Sequence, residues 1–308
     1  MGWSGSLTAS SSVGSKITFT PTVQNETSYR NYTVGSFKAP KKGVYKFELK
    51  GSGGKRMSTA SDVRESTGGS GGLTVGYLLL EKDQTVYVGA GDGCCAAFVS
   101  KVTGTKLAAI SASNLYFVAG GGGSSSASWG ASPGNWANGG NGGGTSGTDG
   151  AKGGNANGGA AGTQTTGYAY GEGQNGSYGS AWDTSSTGGF GGDGYYGGKA
   201  GYSNGGPGAG GGGAGSGYIH ASKLTVGSKS YTNSTTTGGG AEGRKAGSVV
   251  VTLYANAELP ITFDGTKIEK LIYNGVEISS LIYNGTKLFF ERLRRWGRCL
   301  SSTVPVSA

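Results

Sequence analysis

Few residues of this chain could carry out chemistry, and their spacing forms no complete catalytic set. His220 is the only histidine, so Ser-His-Asp or Cys-His catalysis would depend on it alone. The acids between residues 120 and 217 are Asp149, Glu172, Asp183 and Asp193. Nothing in their spacing indicates the paired carboxylates of a glycosidase. We therefore expect no catalytic residue and no enzyme.

Asp193 lies in the one stretch that resembles a metal-binding motif. Residues 188–196 read Gly-Gly-Phe-Gly-Gly-Asp-Gly-Tyr-Tyr, which fits the calcium nonapeptide of parallel β-helices. That motif holds its ions between successive turns, and here it occurs once, which leaves Asp193 as a lone calcium candidate. Cys94, Cys95 and Cys299 lack the spacing of a zinc site or a disulfide framework. We expect no metal and no cofactor.

The aromatic side chains between residues 120 and 217 are candidates for binding rather than for catalysis. Tyr and Trp on loops offer flat faces to sugar rings or receptor proteins at little entropic cost. The candidate contacts are Tyr168, Tyr170, Tyr178, Trp182, Tyr195 and Tyr196. These rings could instead pack the region against its neighbours, and the sequence does not decide between the two roles.

These candidates lie in a window of 98 residues, 120–217, that holds 40 glycines, many of them spaced by three. This spacing matches neither an α-helix nor a strand. It matches an extended left-handed helix that has three residues per turn and no internal hydrogen bonds. Ordering so many glycines costs on the order of 20–40 kcal/mol more than ordering alanines. The window is therefore either a flexible linker or a dense lattice of backbone hydrogen bonds.

Short alternating segments flank the window on both sides. Residues 44–50 alternate most clearly: Tyr45, Phe47 and Leu49 should face a core, and the lysines and glutamate between them should face solvent. Other strands are predicted at 17–23, 32–37, 73–80, 85–88, 96–102, 114–118, 218–226 and 248–254. The pattern predicts an all-β chain: a jelly-roll-like β-sandwich with an inserted, packed polyglycine-II helix bundle.

The sequence divides into six parts. They are an N-terminal segment (1–15), a first sandwich half (16–119), the glycine-rich insertion (120–217), closing strands (218–256), hairpin repeats (257–290) and a basic tail (291–308) that we expect to be disordered. The hairpin repeats, 261–265, 271–275 and 281–285, each end in Asp-Gly or Asn-Gly, which favours a two-residue turn.

Charge and hydropathy limit the partners. The net charge of +9 is diffuse apart from the tail, and the glycine window contains no arginine, which argues against nucleic-acid binding. No run of 18 apolar residues predicts membrane insertion, and no signal peptide is visible at the N-terminus. We expect synthesis in a host cytoplasm and release by another route, such as lysis.

Taken in order, these motifs resemble the glycine-rich domain family. The resemblance is carried by residues 37–40, 43–51, 71–73, 86–89, 115–122, 188–192, 217–218 and 246–251, and it covers roughly residues 30–254. Members include the extracellular glycine-rich domain of the anaplastic lymphoma kinase receptor and many bacterial and phage proteins. The resemblance implies a β-sandwich decorated by packed polyglycine helices. The Tyr-Asn-Gly repeats are similar to C-terminal modules of phage and prophage minor structural proteins.

The resemblance implies a phage or prophage tail-associated adhesin, located on the virion or outside the cell. Loops of its glycine-rich bundle would bind a host cell-surface polysaccharide or protein receptor, and other tail proteins would be its assembly partners. Trimers are common among fibre proteins, so a homotrimer is an open option. Two alternatives stay open: a purely structural spacer or assembly component of a virion or surface fibre, and a cell-envelope polysaccharide hydrolase.

Overall fold

The part of the chain that the structure describes is all-β, with almost no helix. The computed structural model describes residues 7–8, 11–21, 30–55, 66–127, 135–176, 186–203, 208–220 and 245–256 in full, and several short strands outside these ranges by backbone pairing alone. Within the described residues, the helical elements are two single 3₁₀ turns, Leu107–Ala109 and Ala112–Asn114. None of the described residues forms a helix long and apolar enough to cross a membrane.

One sheet has six strands in the order β1-β3-β6-β7-β8-β9. These strands are β1 (Trp3–Gly5), β3 (Asn31–Lys38), β6 (Thr85–Asp92), β7 (Ala97–Ser100), β8 (Leu115–Ala119) and β9 (Tyr218–Ile219). Every pair is antiparallel except β1–β3, which is parallel. Because β8 and β9 are neighbours, the glycine-rich window between them leaves and re-enters the sheet at adjacent points.

The second sheet has five strands in the order β12-β5-β4-β13-β2. These strands are β2 (Lys16–Phe19), β4 (Gly43–Lys50), β5 (Gly72–Leu80), β12 (Thr236–Gly238) and β13 (Ser248–Asn256). Strand β13 follows the glycine window in sequence but pairs with β4 and β2, which precede it. Strand β13 therefore completes this sheet across the insertion.

The two sheets enclose one main apolar core. Tyr45, Phe47 and Leu49 are fully buried, which confirms the alternation predicted for β4. The Phe47 and Phe117 rings lie 6.1 Å apart, centre to centre, and join the two sheets. The Thr74 hydroxyl of β5 also donates to the Val118 carbonyl of β8 at 2.8 Å. The packing is that of a two-sheet, sandwich-like domain.

Four predicted strands differ in extent from the structure. Where strands were predicted at 17–23 and 96–102, β2 ends at Phe19 and β7 ends at Ser100. The single strand predicted at 218–226 is wrong: β9 ends at Ile219, and β10 (Leu224–Val226) pairs with β11 (Lys229–Tyr231) in a separate hairpin. The strand predicted at 85–88 continues to Asp92, because the first half of β3 pairs with residues 89–92. Glycine suits this extension: a Cβ at position 89 would overlap the Phe98 ring.

Three hairpins lie beyond β13. They pair β14 (Thr262–Phe263) with β15 (Thr266–Lys267), β16 (Ile272–Tyr273) with β17 (Val276–Glu277), and β18 (Ile282–Tyr283) with β19 (Thr286–Lys287). In each hairpin, two residues separate the innermost paired positions, and in the sequence these are Asp-Gly or Asn-Gly. The predicted basic tail, 291–308, lies outside the described residues.

The described part of the glycine window forms a lattice of backbone hydrogen bonds between segments. Residues 120–127 show the pattern. Successive N–H groups donate hydrogen bonds to three neighbouring segments in turn, and the cycle repeats every three residues. Gly121, Ser124 and Ala127 donate to Asp193, Phe190 and Thr187; Gly122 and Ser125 donate to Ser52 and Lys55; Gly123 and Ser126 donate to Gly140 and Ala137. Every third residue thus bonds the same neighbouring segment. Residues 208–217 behave in the same way towards residues 196–202 and 144–151.

The lattice extends beyond the predicted window. Residues 51–55 and 66–72, which connect β4 to β5, also belong to it: Gly54 donates to Gly69, and Gly69 donates to Gly123. The segments are so close that side chains do not fit at many positions. A Cβ on Gly123 would overlap the Gly212 carbonyl, and a Cβ on Gly212 would overlap the Phe190 carbonyl. Glycine is therefore required by the spacing between backbones.

We predict that Gly212→Ala lowers the free energy of unfolding by on the order of 3 kcal/mol or more, because a methyl group would be forced against a packed carbonyl. Urea denaturation followed by circular dichroism measures this. Gly14→Ala is the control: a Cβ at position 14 meets no atom within 4 Å, but the backbone φ there is +93°. Gly14→Ala should therefore lower the free energy of unfolding by only about 1 kcal/mol, the cost of placing an alanine at a positive φ. Equal losses in the two variants would contradict the steric explanation.

Candidate functional site

The described residues that flank four connecting segments lie together at one end of the glycine lattice. The segments are 56–65, 128–134, 177–185 and 204–207, which themselves lie outside the described residues. Contacts between their flanking residues place these attachment points together. Ala127 pairs with Thr187, and Ser203 pairs with Ala209. The Ser203 hydroxyl donates to the Ser186 carbonyl at 3.0 Å.

Further contacts add the second flank of segment 128–134 and the fourth segment, 56–65, to the same group. The Ala209 N–H donates to the Asn135 carbonyl at 3.0 Å, and the Ser125 N–H donates to the Lys55 carbonyl at 3.0 Å. The opposite ends of the same lattice segments, at Gly120 and Gly217, continue directly into β8 and β9 of the sandwich. We call the end marked by Ala127, Asn135, Ser186 and Ser203 the distal end. The connecting segments there include Trp129, Tyr178 and Trp182 in their sequences.

The predicted contact residues separate into two groups. Tyr178 and Trp182 belong to segment 177–185, which starts and stops at the distal end, and they lie outside the described residues. Tyr168 is half exposed on the lattice surface, and its N–H donates to the Gly197 carbonyl. Tyr170, Tyr195 and Tyr196 lie instead where the lattice meets the six-stranded sheet.

Those three tyrosines form a ring cluster with Tyr218 of β9. Tyr195 stacks on Tyr218 with ring centres 4.3 Å apart and an interplanar angle of 9°. Tyr170 meets Tyr195 edge to face at 5.5 Å, and its hydroxyl donates to the Ile110 carbonyl at 2.7 Å. Tyr196 completes the cluster at 5.6 Å from Tyr195. Because burial raises the pKa of Tyr170 to about 12, this phenol stays protonated as a donor. The geometry of this cluster corresponds to the packing role considered above.

Asp193 is the centre of a second junction between the lattice and the sandwich. Its carboxylate lies 2.9 Å from the Arg30 Nε and accepts hydrogen bonds from the Tyr32 hydroxyl and the Gly173 N–H, both at 2.8 Å. Its backbone is equally engaged, since its N–H donates to Cys94 and its carbonyl accepts from Gly121. The partners of this predicted calcium candidate are thus hydrogen-bond donors and a cation.

Arg30 connects the two parts from the sandwich side. One guanidinium NH₂ group donates to the Asn175 side chain at 2.6 Å, and the other donates to the carbonyls of Gln174 and Gly191. Burial raises the pKa of the Asp193 carboxyl, and the neighbouring guanidinium opposes that shift. Tyr32 is held in the same network, since its oxygen accepts from the Ala96 N–H while its hydroxyl donates to Asp193. This network was not visible in the sequence, where 163 positions separate Arg30 from Asp193.

Two adjacent thiols lie next to this network. Cys94 and Cys95 are both free and fully buried, in the turn between β6 and β7. Cys94 has a backbone φ of +69°, which is uncommon for a residue with a side chain. Burial raises the pKa of the Cys94 thiol to about 11 and raises the pKa of Cys95 well above its ordinary value. Both thiols are therefore neutral at physiological pH.

The described residues offer no metal centre: no three His, Cys, Asp or Glu side chains among them lie close enough to hold an ion. His220, the candidate for catalysis, follows β9, and its N–H donates to the Tyr116 carbonyl at 2.8 Å. No family profile and no curated protein matches the chain. The site must therefore be interpreted from its own geometry.

We predict that Asp193→Asn lowers the free energy of unfolding by about 3 kcal/mol, because it leaves the buried Arg30 guanidinium without its counter-charge. Asp83→Asn is the control, since it breaks the Lys38–Asp83 ion pair, whose side chains are more than half exposed. Thermal denaturation should show a large shift only for Asp193→Asn. A shift of the same size in both variants would show that the Arg30–Asp193 pair has no special structural role.

We predict that the protein loses stability between about pH 9 and pH 11, because the unfolded Cys94 thiol ionises in that range while the folded thiol keeps its proton. Each such thiol contributes a slope of up to about 1.4 kcal/mol per pH unit, and the sign is unfavourable to folding as the pH rises. Urea denaturation under reducing conditions at pH 8, 9 and 10 measures the slope. The double variant Cys94→Ala, Cys95→Ala should show a shallower slope. An unchanged slope would refute this assignment.

Proposed function

We propose that this chain is a non-catalytic, phage or prophage tail-associated protein that binds a host cell surface through the distal end of its glycine-rich lattice. The convergence of four connecting segments at that end is the observation that carries the proposal. A binding surface assembled from several loops on a rigid support is a common arrangement for recognition. The target would be a cell-surface polysaccharide or a receptor protein, and the location would be the virion or the extracellular space.

The lattice supports this proposal because it would act as a rigid arm between the sandwich and the distal end. We propose that its segments are polyglycine-II helices, because every third N–H bonds the same neighbour, as three residues per turn requires. At about 3.1 Å per residue, residues 120–127 would carry the distal end roughly 20 Å from β8. We also propose a jelly-roll-like sandwich, since consecutive strands pass from the six-stranded sheet (β3) to the five-stranded sheet (β4, β5) and back (β6).

The two groups of aromatic residues then have different roles in the proposal. Tyr178 and Trp182 belong in sequence to a segment whose flanking residues lie at the distal end, and we propose them as the contacts with the host, with the half-exposed Tyr168 as a side contact. Tyr170, Tyr195 and Tyr196 contact other rings of the chain and hold the arm against the sandwich. Other tail proteins would bind elsewhere, and the C-terminal hairpin repeats are our candidate docking module.

The structural spacer is the second candidate function. The same lattice favours it, because a rigid arm anchored at Gly120 and Gly217 serves a spacer as well as an adhesin. A spacer would need no aromatic residues in the segments attached at its far end, however, and the sequences of those segments contain Trp129, Tyr178 and Trp182. Envelope hydrolysis stays the third candidate, and no arrangement among the described residues favours it.

We predict that fluorescently labelled protein binds intact cells of at least one strain in a panel of Gram-negative and Gram-positive bacteria. The double variant Tyr178→Ala, Trp182→Ala should bind at least tenfold more weakly, because aromatic anchors dominate such interfaces. Tyr254→Ala is the matched control, since it removes a 44% exposed tyrosine from the sandwich. Flow cytometry measures cell binding, and circular dichroism verifies folding.

The outcomes separate the three candidates. Equal binding by the parent and by the distal-end double variant would contradict the proposed contacts. An absence of binding to every strain would favour the spacer. Release of reducing sugar or peptide from purified envelopes would favour the hydrolase.

A further inference from the structure

A cleft of about 420 Å³ lies between the six-stranded sheet and the glycine lattice, at the Arg30–Asp193 junction. Arg30, Tyr32 and Asp193 form one part of its lining. The rest comes from both sides of the junction: Thr105 and Lys106 precede the first 3₁₀ turn of the sandwich, and Glu172 and Asn175 belong to the lattice. The volume is within the usual range of ligand sites, about 300–1,000 Å³.

The lining is fixed before any ligand arrives. The Arg30 guanidinium is held by Asp193 at 2.9 Å and by Asn175 at 2.6 Å, with its side chain only 13% exposed. The Tyr32 hydroxyl is bound to Asp193 at 2.8 Å. Lys106 and Glu172 bridge the two sides of the cleft at 3.1 Å. A pre-organised lining loses little conformational entropy on binding.

The charges of the lining cancel. Arg30 and Lys106 carry two positive charges, and Glu172 and Asp193 carry two negative charges, so the cleft offers no net charge to an ion. The lining nevertheless combines donors and acceptors at short range. Because the Asn175 Oδ1 already accepts from Arg30, its NH₂ group supplies donors, while Thr105 supplies a hydroxyl that both donates and accepts. In the partly exposed Lys106–Glu172 pair, the ammonium group adds a charged donor and the carboxylate adds a charged acceptor.

We propose that this cleft binds one neutral sugar ring. Each hydroxyl of a sugar both donates and accepts, so adjacent hydroxyls match a lining that alternates amide, hydroxyl, ammonium and carboxylate groups. An ionic ligand would gain from one half of the lining and be repelled by the other half. The proposal goes beyond the host-binding function by adding a second site, with a ligand class of its own, at the junction of the lattice and the six-stranded sheet. It does not depend on the distal end.

The test uses saturation-transfer difference NMR on the full chain with free glucose, galactose, mannose and N-acetylglucosamine, and with glucuronic acid as an anionic probe. We expect saturation transfer to at least one neutral sugar. Thr105→Val keeps the shape of an exposed side chain and removes its hydroxyl, so it should weaken binding at least fivefold. Asn175→Asp should do the same, because it removes the NH₂ donors and adds a negative charge to a lining whose charges otherwise cancel, while keeping an oxygen for Arg30.

Thr103→Val is the matched control, since Thr103 is an exposed threonine of the same loop that does not line the cleft. It should leave binding unchanged. Saturation transfer to none of the four neutral sugars, or to glucuronic acid alone, would overturn the proposal. Equal binding by the parent, Thr105→Val and Asn175→Asp would overturn it as well. Cell binding through the distal end is measured separately, so failure here leaves that result intact.

Discussion

The close approach of bare backbones in the glycine lattice is the constraint on which the rest of the structure depends. An extended segment with three residues per turn makes no hydrogen bonds within itself, so its N–H and C=O groups must find partners in neighbouring segments. Those partners come within reach only where the intervening Cα carries no side chain. Each glycine costs about 0.5–1 kcal/mol of extra entropy relative to alanine, and each backbone bond returns roughly the same amount. The lattice is therefore stable only as a whole, with the chain entering it at Gly120 and leaving it at Gly217 held by the sandwich.

The sandwich anchors the lattice at one end. Two further junctions, one aromatic and one polar, add to this anchor. The Tyr195–Tyr218 stack joins the lattice to β9, while the Arg30–Asp193–Tyr32 network joins it to β3. Serines replace glycine where the lattice lacks an acceptor: the hydroxyl of Ser124 accepts from the Phe190 N–H, and that of Ser126 accepts from the Ala137 N–H. A support fixed in this way can hold the attachment points of the connecting segments at its far end.

Much of the sandwich could be predicted from the sequence, because alternation along a strand records which face is buried. The alternation of Tyr45, Phe47 and Leu49 and the position of the closing strand β13 both followed from local patterns. The Arg30–Asp193 pair could not be predicted, since no local pattern links residues so distant in sequence. Residues 51–55 and 66–72 were also missed as lattice segments, because their glycines are too few to show a period. The glycine pattern is interrupted at several places, and the role of a tyrosine depends on whether its interruption lies against the sandwich. Only the structure shows which interruptions do.

Hydrogen–deuterium exchange of the lattice amides tests the central claim most directly. If residues 120–127 and 208–217 form a hydrogen-bonded lattice anchored on the sandwich, their amides should exchange as slowly as those of β4 and β13, since opening them requires global unfolding. Their protection should also disappear together with that of the sandwich strands as urea is added. Complete exchange of these glycine amides within seconds, while β4 and β13 stay protected, would show a flexible linker and contradict the account.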